Sequence, residues 1–246
     1  MLLKVVVFYV LAFVFTVILA GIQEGASISP EAITLAQWGS GLAALIMLVI
    51  FRGDRHRFSV VDQSIPPSRY VVTALVPLGG ALAAYLINTL ILGAVPLGDL
   101  APTPWLLFLW MPLGAFGEEL GWRGYLHKRL NVRLTGLLSS FIVGIMWALW
   151  HVGLYQNGIL YMGFVVLLIV SYSVVIYGLV QATAFNVILA TVFHLMINIT
   201  NLFSYSIINE TSFIVVNALV WAAIAVAVVL TRRTLFISWH SRRTTR

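Results

Sequence analysis

Two adjacent carboxylates and a guanidinium, Glu118, Glu119 and Arg123, fall within a short stretch that is otherwise apolar. Immediately before them the chain reads Trp105-Leu106-Leu107-Phe108-Leu109-Trp110-Met111. A charge at bilayer depth costs about 2.5–3.5 kcal/mol on insertion scales. Three charges so close together therefore need a reason. On an α-helix, residues i and i+4 share a face, so the spacing pairs Glu119 with Arg123 and leaves Glu118 to point elsewhere. A carboxylate outside the ion pair is available for proton transfer. The plain alternative is a structural ion-pair knot, but intramembrane ionisable groups are functional by default.

Two histidines sit in similar surroundings. His151 ends the run Trp147-Ala148-Leu149-Trp150-His151, and His194 opens His194-Leu195-Met196-Ile197-Asn198. The second spacing places His194 and Asn198 on one helix face, with Asn201 a further turn on. A lone histidine on an apolar face is usually a satisfied core group, and two beside a buried carboxylate argue for chemistry. His56, His127 and His240 lie in basic segments or at a helix end, where solvation is the expectation.

The elements that must position these groups follow from composition. The chain is 61% hydrophobic and 9% charged, with a mean hydropathy of +1.01. That places it among polytopic membrane proteins, as a single membrane-embedded domain over 1–246 with no room for a separate soluble domain. With no cysteine, disulfides, thiolate metal sites and cysteine nucleophiles are excluded. Runs of about 20 apolar residues fall near 2–22, 33–51, 70–95, 104–126, 137–154, 159–180, 184–203 and 212–230. The expectation is an all-α bundle of about eight transmembrane helices. Lys4 before an apolar run has the outline of a signal peptide. The long run, a poor cleavage site at Ile18-Leu19-Ala20 and the spans that follow predict a retained helix instead.

Orientation comes from the basic residues. Lys4, then Arg52, Arg55, Arg57 and Arg69, then Lys128, Arg129 and Arg133, then Arg232, Arg233, Arg242, Arg243 and Arg246 all fall on one side of an eight-span alternation. Arg123 is the only basic residue left over. The opposite loops carry Glu24, Glu31, Asp99 and Glu210. Both termini are expected in the cytoplasm, and the net charge of +6 reflects this topology rather than a nucleic-acid partner. Small-residue stripes, Gly114, Gly117, Gly121 and Gly124 in the fourth span and Gly136, Ser140, Gly144 and Ala148 in the fifth, predict close packing of those two helices. At 1.5 Å per residue, His194, Glu118 and His151 come out roughly 15, 20 and 25 Å above the basic face.

The motifs resemble those of the CPBP family, the CAAX-protease and bacteriocin-processing (Abi) intramembrane proteases that include the Ras-converting type II CAAX prenyl endopeptidase. Its Glu-Glu-x-x-x-Arg motif matches Glu118, Glu119 and Arg123. Its Phe-x-x-x-His motif matches Trp147 and His151, with tryptophan in place of phenylalanine, and its His-x-x-x-Asn motif matches His194 and Asn198. The resemblance implies a protease core over about 104–203 acting on a membrane-associated peptide or protein without a cofactor. It implies that Glu118 and His151 activate a water, that His194 and Asn198 stabilise the oxyanion, and that Glu119 and Arg123 hold the site or the substrate. Peptide hydrolysis independently asks for a base active near neutral pH and donors aimed at the developing oxyanion.

Three other readings use the same residues. Glu118, His151 and His194 form a two-histidine, one-carboxylate zinc set, although no His-Glu-x-x-His segment is present. Buried glutamate and histidine also build proton relays in transporters, against which no inverted repeat is visible. The third is a catalytically silent scaffold or immunity factor. The compact chain suggests a multi-pass protein of a prokaryotic cell membrane, and its sequence says nothing of the substrate's identity or of oligomeric state.

Overall fold

The computed structural model describes residues 1–30, 32–61, 65–93, 105–204 and 208–238. Glu31, Asp99, His240, Arg242, Arg243 and Arg246, on which sequence expectations rested, lie outside them. The described residues form helices and turns, with no strand among them. In order these are α1 (Leu2–Gly25), α2 (Gly39–Ile50), α3 (Pro67–Leu92), α4 (Trp105–Glu119), a π-helical segment (Leu120–His127) and α5 (Lys128–Asn131). Then come α6 (Gly136–Trp150), α7 (Ile159–Val180), α8 (Val187–Phe203), α9 (Thr211–Thr231) and α10 (Arg233–Ile237).

Four helices, α1, α3, α7 and α9, are long and apolar enough to cross a membrane. The others are shorter: Leu35–Ile50, Gly136–Trp150 and Val187–Phe203 are apolar but under span length. At fifteen residues, α6 rises only about 22 Å, against roughly 30 Å of hydrocarbon. It is therefore shorter than that layer and is followed by a 3-10 turn over Val152–Asn157. Irregular backbone within hydrocarbon is tolerated only where it is buried in protein or lines a cavity.

Local chemistry sets the breaks. Pro67 opens α3, where its missing N–H costs nothing. The Thr135 hydroxyl accepts from Leu138 N–H at the start of α6, and Asn186 Oδ1 accepts from Leu189 N–H at 2.9 Å at the start of α8. Between α7 and α8, Ala184 and Phe185 both take left-handed backbone (φ 50 and 59). That turn is stabilised by burying Phe185 and by the bond from its N–H to Val180 O.

Two expectations are corrected. The glycine stripes do not join the fourth and fifth spans to each other. A Cβ on Gly117 would meet the Trp38 ring, and one on Gly121 would meet Ser40, so the fourth span's stripe packs on the Leu35–Ile50 segment. Those on Gly136 and Gly144 would meet Tyr177 and Val170, so the α6 stripe packs on α7. His127 is not solvated: it is fully buried, with its ring 5.2 Å from that of Tyr177 and 5.2 Å from that of Phe185. Beyond Arg233 the chain packs back on the bundle, with Phe236 buried and its ring 5.1 Å from that of Tyr177.

Candidate active site

The Glu-Glu-x-x-x-Arg stretch straddles the junction of α4 with the π-helical segment. A run of i→i+5 backbone bonds is rare and often marks a functional site. The i, i+4 pairing predicted on an ideal helix survives the wider turn: Arg123 Nη1 donates to Glu119 Oε1 at 2.7 Å, with both side chains fully buried. The same oxygen takes a second donor from α8, His194 Nδ1 at 2.9 Å. Glu119 therefore joins two helices through one atom.

Glu118 is bound separately, as expected. Its Oε2 accepts from Trp147 Nε1 at 2.8 Å and its Oε1 accepts from Gln37 Nε2 at 3.2 Å. Ser40 Oγ donates to its backbone carbonyl at 3.3 Å. Gln37 gave no signal in the sequence, since a single amide in an apolar helix has no spacing partner. Trp147 proves central. Its N–H serves Glu118, the Arg123 guanidinium lies 4.2 Å from its ring centroid, and the His194 ring meets it at 5.2 Å, 65° to its plane. Phenylalanine would keep the packing and lose the donor.

His151 is not deep within its helix: it caps the end of α6. Its Nδ1 lies 2.8 Å from Trp147 O. A carbonyl only accepts, so Nδ1 carries the proton and Nε2 keeps its lone pair. The same reasoning applies to His194 beside the Glu119 carboxylate. Neutral His194 thus has an accepting Nε2, and it donates to an oxyanion only as the imidazolium.

His151, His194, Asn198 and Trp147 line one cavity of about 280 Å³. Asn201, Asn209 and Asn217 line it too. Asn217 was not anticipated; it lies on α9, outside the three motifs. Its Oδ1 is buried and has no hydrogen-bond partner among the described residues. Glu118, Glu119 and Arg123 do not line the cavity but stand behind Trp147 and His194. No three His, Asp or Glu side chains among the described residues form a metal-ligating group. In the alternative zinc set, Glu118 accepts from Gln37 and Trp147, and Nδ1 of His151 and of His194 is held by Trp147 O and Glu119.

Residues 100–200 match the family model described as Type II CAAX prenyl endopeptidase Rce1-like. That interval contains all seven motif residues. The chain is 36% identical over 76 residues to CAAX prenyl protease 2 of Methanococcus maripaludis, covering 31% of this chain and 26% of that relative. It is 24% identical over 190 residues to lysostaphin resistance protein A of Staphylococcus haemolyticus, covering 74% of this chain and 51% of that relative. The matched chain thus spans about half or less of these relatives' own lengths. The chain is thus a multi-pass helical membrane protein whose residues 100–200 are similar to the Rce1-like type II CAAX prenyl endopeptidases.

Proposed function

We propose that the protein is an intramembrane endopeptidase that hydrolyses a peptide bond of a membrane-associated substrate, of the CAAX-tail or leader-peptide kind. It works in a prokaryotic cell membrane as a bundle of about eight spans with both termini in the cytoplasm. The observation that carries this reading is the convergence of His151, His194 and Asn198 on one cavity, with Glu119 behind His194.

The roles follow from which atoms are free. His151, its Nδ1–H committed to Trp147 O, takes a proton from water at Nε2. The charge of Glu118 acts on both imidazoles and stabilises the cation that forms on His151. Imidazolium His194, backed by Glu119, and the Asn198 amide donate to the tetrahedral oxyanion. Glu118, Glu119 and Arg123 leave one uncompensated negative charge in a low-dielectric core. A single proton on His194 balances it, and buried charge is costly unless paired. Arg123 and Glu119 are thus positioning residues, and Glu118 is the carboxylate of the water-activating pair. No metal enters this scheme.

The test uses purified protein in liposomes, with a fluorogenic prenylated CAAX peptide and a leader-peptide library as probes and EDTA present throughout. Wild type cleaves at least one probe with EDTA present, and Glu118→Gln accumulates normally and cleaves none. Activity lost to EDTA and restored by zinc would transfer the assignment to the metalloprotease. Proton-coupled uptake without proteolysis would transfer it to transport.

A further inference from the structure

The two ends of the bundle carry different charges, and the cavity belongs to one of them. At one end Lys4 Nζ bonds both oxygens of Asp54 at 3.0 Å, Arg129 reaches the same carboxylate, and Arg232 Nη1 donates to Gly178 O at 2.6 Å. Tyr177 bonds Asn131 there at 3.1 Å, and Val187 N–H at the start of α8 bonds Val60 O. These contacts gather the described basic segments on one face. At the other end Gln23 Nε2 donates to Ile33 O, Asn157 to Asn209 at 3.1 Å, and Tyr161 to Ile208 O at 3.0 Å.

The cavity wall is made at this second end. His151 and Leu154 follow the terminus of α6, Tyr161 is in the first turn of α7, and Asn217 is in the second turn of α9. α8 starts at the basic end and brings His194, Asn198 and Asn201 up toward the same place. The cavity reaches the exposed Asn209. Among the described residues no Asp, Glu, Lys or Arg lines it.

Basic segments stay in the cytoplasm. We infer that the cavity is entered from the extracytoplasmic face and that its substrate is an extended peptide segment presented there by an exported, membrane-anchored polypeptide. The peptide part rests on the endopeptidase reading, and the side of entry does not. The four asparagines supply the amide donors and acceptors such a backbone needs.

The chain contains no cysteine, so each introduced thiol is unique. Asn201→Cys and Leu154→Cys probe the cavity wall and Asn209→Cys its rim. Gly53→Cys marks the basic face, where an added Cβ meets nothing within 4 Å. Intact cells are treated with an anionic, impermeant methanethiosulfonate before and after permeabilisation. The expected result is labelling of the wall and rim thiols in intact cells and of Gly53→Cys only after permeabilisation. Wall thiols that label only after permeabilisation, or never, would overturn the proposal. Asn201→Cys and Leu154→Cys are two independent positions, so one misfolded variant leaves the result decided. A lipid-anchored fluorogenic peptide is then added to right-side-out and inverted vesicles. Cleavage in right-side-out vesicles alone is expected, and cleavage in inverted vesicles alone overturns the side of entry. Outside-facing labelling with no cleavage in either preparation upholds the side and removes the endopeptidase assignment.

Discussion

Trp147 shows how much one side chain can organise. It donates to Glu118, lies under Arg123 and meets His194, so the three motifs share it. The pairing of Glu119 with Arg123 was legible because helical spacing alone brings i and i+4 together. The attachment of His194 to Glu119 was not, because it depends on how α8 packs across the π-helical segment. Gln37 and Asn217 were invisible for a related reason: a neutral amide carries no charge anomaly and has no fixed spacing to its partner. Asn217 nevertheless leaves a buried acceptor unpaired in the cavity wall. A buried acceptor without a donor costs about 1–3 kcal/mol, which a substrate N–H would relieve. Asn217→Leu is therefore expected to raise KM about five- to 150-fold with kcat nearly unchanged. On the proposed mechanism Asn198→Ala removes an oxyanion donor and is expected to lower kcat about 10²–10³-fold with little change in KM. Steady-state kinetics on one peptide distinguishes the two patterns.

α4 and α2 approach each other through glycine. A Cβ on Gly41 would lie 2.6 Å from Gly117 O, and backbone cannot swing away as a side chain can. Gly41→Ala is expected to destabilise by about 1–3 kcal/mol, the usual range for overpacking. Gly79 lies inside α3 with nothing within 4 Å of its Cβ, so Gly79→Ala is expected to stabilise by up to about 1 kcal/mol. Thermal melting in detergent should give opposite signs for the two substitutions, and equal losses would remove the close-approach argument. The sequence showed that glycines recur at helical spacing, but not which helix they face. Any small-residue stripe permits close packing, and the partner is chosen by the rest of the bundle. Helix ends were equally hidden, since α6 stops at Trp150 inside an apolar run that reads on to Leu154.

Across the molecule, Asp54 ties together segments distant in sequence. It accepts from Lys4, Arg129 and Tyr125, and is 5% exposed. Asp54→Asn leaves two cations facing each other without a counter-charge. It is expected to cost about 1.5–3 kcal/mol, a fall of several degrees in melting midpoint for a chain of this size. Arg55→Gln, at an exposed neighbour whose Nε donates to Leu48 O, should melt within about a degree of wild type. A drop for Arg55→Gln as large as that for Asp54→Asn would reduce the Asp54 node to general surface electrostatics. The all-helical class and the sidedness of the charges were readable from composition, because insertion energetics act on each segment separately. The side on which the cavity opens required the packing. The one-oxygen junction of Arg123, Glu119 and His194 has a further consequence. A proton passing between His194 and Glu119 travels at most 2.9 Å, about a tenth of the roughly 30 Å hydrocarbon layer. It therefore senses about a tenth of the transmembrane voltage, roughly 0.2 kcal/mol per 100 mV. Turnover should be indifferent to whether the cell is energised, unlike a proton-driven pump built from the same residues.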